Sequence, residues 1–237
     1  MIDLHSHILP GLDDGAQSES ESIEIARFLT DYGFTHMMAT PHFSKSFFEI
    51  QADTVNKGVA TLQENLNLQA IQLKIIPGNE VYFDSIIDEN GGLASFHFID
   101  QNQKWVLLEL PFHRFNFMLF DHIQYQLSRR EIGILLAHPE RYENLLDDYK
   151  LVKKIANQGV LFQINLGSLV GEYGRTSQKF AEKLLSDDYV FGVGTDVHQI
   201  TTLQKNLPQA LTRLKKMIGD KKIASMMQNA FQTFKFE

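Results

Sequence analysis

Cysteine is absent from the 237 residues. That excludes disulfides, thiolate zinc sites and any mechanism built on a cysteine nucleophile. No run approaches the ~18 apolar residues of a membrane span, and the N-terminus lacks the basic region and apolar stretch of a secretory leader. A soluble, cytoplasmic protein with no membrane insertion is therefore expected. Basic residues are scarce: 22 Lys and Arg stand against 29 Asp and Glu, for a formal net charge of -7, with no basic block. Nucleic acid as the main partner is thereby disfavoured. Also missing are a Gly-rich dinucleotide fingerprint after the first apolar run, linkers, low-complexity tracts and internal repeats.

What is present is ample apolar material, 43% of the chain with 18 Phe, arranged as short runs that alternate with amphipathic stretches. Strands are expected at Ile2–Leu4, Thr35–Thr40, Leu73–Pro77, Trp105–Leu110, Ile132–Ala137, Val160–Asn165 and Tyr189–Gly194. Several are continuous apolar runs, the signature of strands covered on both faces. Helical spacing marks Ser20–Tyr32, Asp53–Leu66, Phe120–Arg130, Leu146–Gln158, Gln178–Leu185 and a C-terminal stretch from Leu207 to Phe231. Seven strands alternating with helices imply a parallel α/β architecture. A barrel is favoured over an open sheet because each strand ends in a distinctive polar group, and barrel enzymes gather strand ends at one mouth.

Those strand ends carry the chemistry. His5 and His7 follow the first run, with Asp14 in the loop beyond; His42 follows the second, Glu80 the third, Glu109 ends the fourth, His138 follows the fifth, and Asp196 and His198 close the series. On a strand, residues i and i+2 share a face, so His-x-His and Asp-x-His can each converge on one point. Any one of these residues alone would pass for a solvated loop histidine or an ion-pair partner. Together they form a set of five imidazoles and four carboxylates that would stay desolvated or repel without cations. A divalent ion takes about four to six ligands, so nine with one bridging carboxylate suit three ions. Three ions bring about +6 against -4, leaving a surplus that suits hydroxide and an anionic substrate, the profile of a phosphate-ester hydrolase.

At this point a family likeness emerges. The pattern of His-x-His, downstream Asp, single His and Glu after the next two strands, and terminal Asp-x-His resembles the PHP superfamily, named for polymerase-associated and histidinol phosphatase domains. More narrowly, His5-Ser6-His7-Ile8-Leu9-Pro10-Gly11-Leu12-Asp13-Asp14-Gly15, Ala137-His138-Pro139-Glu140-Arg141-Tyr142 and Gln163-Ile164-Asn165-Leu166-Gly167-Ser168 resemble the metal-dependent protein tyrosine phosphatases of bacterial capsule and exopolysaccharide systems. The resemblance runs from residue 1 to about the last helix. It implies a single PHP-type domain over 1–237, folded as a distorted (β/α)7 barrel with the metal site at the C-terminal ends of the strands. It further implies three ions: one held by His5, His7, Glu80 and Asp196, one by Glu80, Glu109 and His138, and one by Asp14, His42 and His198. Manganese is the expected metal, while iron or zinc would also suit nitrogen and oxygen ligands. The implied partner is a phosphotyrosyl protein, the tail of a bacterial tyrosine kinase.

The expected reaction is phosphomonoester hydrolysis by a hydroxide that the metal centre generates from water. Arg141, three residues beyond His138, is the candidate clamp for phosphate, because a planar guanidinium matches it bidentately; the alternative is an ion pair with Glu140 or Glu143. No general acid stands apart from the ligands, so His42 and His198 join Arg141 as the catalytic candidates. Phe43, Phe47, Phe48, Phe112, Phe115 and Tyr173 follow strand ends and could face an aromatic substrate or pack as core or lid. Lys45 and Arg175 could steer phosphate, while His36, His97, His113 and His122 are expected to be structural or surface residues. One departure from the family pattern stands out: Gln199 to Asn206 holds no arginine after the terminal Asp-x-His, and Lys205 or Arg175 would have to substitute. Other readings are histidinol phosphatase or another small-molecule PHP phosphoesterase, and a non-catalytic metal-binding regulatory module.

Overall fold

The computed structural model describes residues 1–87 and 92–236. Seven staves follow one another in sequence order, two of them interrupted. The first is β1 (Ile2–Asp3). The second is β2 (His36–Ala39), continued beyond Thr40-Pro41 as β3 (His42–Phe43), and the third is β4 (Lys74–Pro77), continued beyond Gly78-Asn79 as β5 (Glu80–Tyr82). Then come β6 (Trp105–Glu109), β7 (Gly133–Ala137), β8 (Leu161–Asn165) and β9 (Val190–Gly194). All seven expected strands form within a residue or two of their sequence limits. β3 and β5 were not anticipated, because Pro41 lacks a ladder donor and Gly78-Asn79 reads as a turn.

Pairing is parallel throughout, in a three-stranded sheet β1-β2-β4 and a six-stranded sheet β3-β5-β6-β7-β8-β9. The ring passes from β9 back to β1 through Leu4 N–H to Val193 O (3.1 Å), Asp196 N–H to His5 O (2.8 Å) and His7 N–H to Val197 O (3.2 Å). This is a distorted barrel of the expected α/β class.

The alternation of side chains sorts the core into two layers. Val106 and Leu108 of β6, with Ile134 and Leu136 of β7, pack outward against the helices. Leu107, Leu135 and Ala137 instead face an inner cluster with Ile2, Leu4 and Met38. The helices are α1 (Glu19–Asp31), α2 (Ala52–Leu68), α3 (Phe117–Ser128), α4 (Glu143–Asp147), α5 (Lys150–Ala156), α6 (Arg175–Ser186) and α7 (Ile200–Phe234). Ser18 caps α1 by accepting from Glu21 N–H. The single helix expected over Leu146–Gln158 is in fact two: Asp148 turns extended (φ -135°, ψ 92°), and its carboxylate accepts from Lys150 N–H at 3.0 Å. The C-terminal helix starts at Ile200 rather than Leu207 and is broken at Gly219 (φ 74°, ψ 162°). Its far end brings Ala230 and Phe234 into the inner cluster, with Phe234 edge-on to Trp105 (5.7 Å) and Phe191 (5.5 Å). Trp105 opens β6, so this plug fills the end of the barrel opposite the polar strand ends. Among the described residues no helix is long and apolar enough to cross a membrane.

Candidate metal centre

Register and period place the ligands. Parallel pairing sets His42 beside Glu80 and Tyr82 beside Glu109. Two residues up from the inner Leu107 comes Glu109, and two up from Leu161 comes Gln163, so polar groups stack above the apolar inner layer on the same face. His138 follows β7 and Asp196 follows β9, both in the left-handed region (φ 30° and 52°). Non-glycine residues are held there only where the surroundings enforce it, and both side chains are turned into the mouth.

The structure brings all nine sequence candidates together in four overlapping groups: His5, His7 and Asp196; His5, Glu80 and His138; His42, Glu80 and Glu109; and His7, Asp14, His42 and His198. Glu80 is the hub. Its Oε2 lies 3.2 Å from His5 Nε2, 3.4 Å from His7 Nε2 and 3.0 Å from His42 Nδ1, and its Oε1 lies 2.8 Å from His138 Nε2. Asp196 Oδ1 lies 3.5 and 3.3 Å from His5 and His7 Nε2. Glu109 is 3.8 Å from both His42 and His138. Asp14, at the rim, is 3.5 Å from His42 Nε2 and 3.3 Å from His198 Nε2.

These donors fit cations. His5 Nε2 and His7 Nε2 approach to 3.2 Å beside Glu80 and Asp196, a cluster of donor atoms that a shared cation would satisfy. Glu80 Oε2 is buried with no hydrogen-bond partner among the described residues, an expensive state for a carboxylate oxygen. Burial, and then the charge of Glu80, push Glu109 up to about 8. Burial would also raise Glu80 and Asp196, but the neighbouring imidazoles outweigh it and hold both carboxyls well below the usual range. Burial keeps His138 neutral, down to about 4, which is the form that ligates.

Around the ligands runs a set of hydrogen bonds that sequence reasoning did not single out. Asn165 Nδ2 donates to Asp196 Oδ2 (2.7 Å), Gln163 Nε2 donates to Asn165 Oδ1 (2.9 Å), and Gln163 Oε1 faces His5 Nδ1 (3.0 Å). A carboxylate can only accept, so Asp196 fixes the direction of both amides, and His5 must donate from Nδ1. Its Nε2 lone pair is thereby left for the centre. Asp13 does the same for His7, with Oδ2 at 2.6 Å from Nδ1, and the Asp196 carbonyl does it for His198 Nδ1 at 2.9 Å. Such outer partners set tautomer and ring orientation. Glu140 is buried too and is lifted by that burial to about 7; it accepts from Asn165 N–H (2.8 Å) and Ser168 Oγ (2.6 Å). Asp13 stood in the quoted N-terminal motif, and its position six residues after His7 was the available signal. For Gln163 and Asn165 the signal was their i, i+2 spacing on an inward strand face.

Arg141 borders the centre. One of its terminal nitrogens (NH1) lies 3.2 Å from Asp196 Oδ2, and its guanidinium is stacked 4.1 Å from the Phe112 ring and 4.4 Å from the Tyr173 ring. It makes neither of the alternative pairs: Glu140 is engaged with Ser168, and Glu143 with His113 at 3.0 Å. Phe43 and Phe115 are buried core, whereas Phe47 is exposed and Phe48 stacks on His42 (5.9 Å). Lys45 is engaged elsewhere, its Nζ donating to Ile87 O at 2.7 Å. A cavity of about 310 Å³ adjoins Arg141, Asp196 and His198 and runs beneath the start of α7; neither Lys205 nor Arg175 lines it. Of the remaining histidines, His36 packs against Phe231, His97 bonds Asn56 and His113 pairs with Glu143, while His122 is exposed.

The profile of the family described as capsular polysaccharide synthesis, CpsB/CapC, matches residues 1–235. The chain is 30% identical over 234 residues to the tyrosine-protein phosphatase YwqE of Bacillus subtilis, covering 97% of this chain and 90% of the relative. Among solved structures, one from the set of YwqE from Bacillus subtilis and CpsB from Streptococcus pneumoniae, described as metal-dependent tyrosine phosphatases, superposes with a TM-score of 0.84 at 29% identity, covering 97% of this chain and 92% of the other. The phosphotriesterase homology protein of Escherichia coli shares the fold at a TM-score of 0.60 and 13% identity, over 98% and 97% of the two chains.

Proposed function

Because the chain belongs to the CpsB/CapC capsular polysaccharide synthesis family, we propose that it is a metal-dependent protein tyrosine phosphatase acting in the cytoplasm on a phosphorylated tyrosine kinase of polysaccharide biosynthesis. The observation that carries this reading is the centre itself: nine nitrogen and oxygen donors in overlapping groups at one mouth, bordered by a single stacked guanidinium, in a chain with no cysteine to serve as nucleophile.

His5, His7, Glu80 and Asp196, then Glu80, Glu109 and His138, then Asp14, His42 and His198 would hold up to three divalent ions, manganese by preference. Bound there, such ions supply Lewis acidity and a water of lowered pKa. The protein's own groups do the rest. Arg141 offers its planar fork to the phosphoryl oxygens, with Phe112 and Tyr173 holding its plane and Asp196 its position. The phenolate of tyrosine is a good leaving group, with a pKa of about 10, so little acid assistance is needed. Water at the open mouth supplies that proton, since His42 and His198, whose side chains are 19% and 31% exposed, would give their lone pairs to a cation.

The test pairs metal and substrate. Chelated protein should lose hydrolysis of p-nitrophenyl phosphate and phosphotyrosyl peptide and regain it with manganese, while iodoacetamide leaves it unaffected. A preference above tenfold for histidinol phosphate over the peptide would overturn the substrate assignment. Failure of manganese to restore any hydrolysis would favour a regulatory module.

A further inference from the structure

The cavity beside the centre differs in character from the centre. Its floor is apolar, made by Leu166, Val197, Leu203 and Leu207, all buried. Asp196 and His198 of the centre also line it, as do Glu172 and Asn206. Among the described residues lining it, Arg141 is the one cation, and that guanidinium is already fixed by Asp196 and two rings.

Glu172 is a placed group. Its N–H donates to Gly167 O at 3.1 Å, and its Oε2 accepts from Asn206 Nδ2 at 2.8 Å. The carboxylate folds back over Gly167, where a Cβ would stand 1.9 Å from Oε2. The turn and the amide from α7 place an exposed negative charge beside the cavity, and among the described residues Oε1 has no hydrogen-bond donor.

A cavity lined by apolar side chains and by the Glu172 carboxylate matches one kind of side chain, an aliphatic stem with a cationic tip. A lysine lays its methylenes along apolar surface while its ammonium seeks the charge beyond. An acidic side chain would meet Glu172 with like charge. We infer that this cavity selects a lysine or arginine flanking the phosphotyrosine, with Glu172 as the specificity-determining residue. The inference rests on the phosphotyrosyl reading of the centre and deepens it.

The experiment uses the full chain loaded with manganese and a set of phosphotyrosyl peptides identical except for Lys, Leu or Glu at each position flanking the phosphotyrosine. At one flank, kcat/KM should rank Lys above Leu above Glu, with Lys over Glu by about three- to tenfold, the size of a partly exposed ion pair. The preference should shrink as salt is raised. Glu172→Gln, which keeps a carbonyl for Asn206, should bring the ratio near one, and Glu172→Arg should reverse it. Equal rates on all three peptides at every flank, or a lysine preference that survives in Glu172→Gln, would overturn the inference while leaving phosphatase activity intact. A manganese-loaded protein that hydrolyses p-nitrophenyl phosphate but no phosphotyrosyl peptide would bring down the substrate reading, and this inference with it.

Discussion

Replacing Asp13 by Asn is the most informative single perturbation, because it removes one charge from a residue outside the nine candidate ligands. The two oxygens of Asp13 serve three donors: His7 Nδ1 at 2.6 Å, Gly15 N–H at 3.0 Å and His42 N–H at 3.0 Å. Burial would raise the Asp13 carboxyl, but His7 and the two backbone N–H groups together pull it down to about 2. Asparagine can keep its carbonyl on His7 and His42, but its amide then confronts the Gly15 N–H, donor against donor. The turn cannot yield, since a Cβ on Gly15 would already stand 2.2 Å from His7 O. A charge-assisted bond weakened to a neutral one costs about 1 kcal/mol, and the stranded N–H adds about 1–2 kcal/mol. The sum of about 2–3 kcal/mol corresponds to roughly a 30- to 150-fold loss in affinity for ions that use His7, in line with the usual 10–100-fold for an outer partner of a metal-bound histidine. Manganese affinity is read by competition with a chelating dye, and saturating manganese should rescue most of the turnover. If Asp13→Asn binds manganese within about twofold of the parent protein, the carboxylate is not orienting His7 and the account of the outer hydrogen bonds is wrong.

Arg141→Ala should lower kcat by about 10²–10³-fold, the usual loss for one preorganised group on transition-state charge, with metal content unchanged by elemental analysis; Arg141→Lys should recover little, because an ammonium cannot stack between Phe112 and Tyr173. Unaltered turnover in Arg141→Ala would remove it from the reaction. Gln163→Leu should cut manganese affinity by about 10–100-fold through release of both His5 and Asn165, and an affinity equal to the parent's would show that the amide chain orients nothing. Tyr142→Phe strands the buried Leu110 N–H, which donates to Tyr142 Oη at 3.1 Å; a loss of about 1–2 kcal/mol should lower the melting temperature by roughly 2–8 °C for a chain of this size, measured calorimetrically, and an unshifted transition would mean that water replaces the hydroxyl.

The staves and the ligands were legible for the same reason. Strands such as Val106–Leu108 and Ile134–Ala137 are apolar on both faces, so they stand out in the sequence as unbroken runs, and the first polar residue after each run is forced to the mouth. Helix ends were less legible. Asp148 reads as one more polar residue on a helical face, and only its extended backbone and its bond to Lys150 N–H show that it ends one helix and caps the next. β3 and β5 were hidden by Pro41 and Gly78, although the interruption itself is what places His42 and Glu80 in register. Gln163 and Asn165 were quoted as part of a motif without a role, because an amide reveals its direction only when its partner is known. Glu172 was invisible for a different reason: its position depends on the missing side chain of Gly167 and on an amide from α7, contacts that no local pattern announces.

These pieces form one mechanical unit. The polar mouth stacks directly on an apolar inner layer that Phe234 closes from below, so Glu109 and Gln163 are aimed by strands whose lower halves are fixed by close packing. The direction of the amide chain then follows from one acceptor-only carboxylate: Asp196 orients Asn165, Asn165 orients Gln163, and Gln163 orients His5. Asp196 also anchors Arg141 through the same Oδ2 that Asn165 holds. A single carboxylate, on a residue kept at a strained φ of 52°, thus couples the aim of a candidate ligand on the first stave to the position of Arg141, the proposed phosphate clamp, after the fifth. Neutralising it should disturb cation binding and anion binding together. Neutralising Asp13, whose carboxylate accepts from His7, Gly15 and the His42 backbone, should disturb cation binding and leave Arg141 in place.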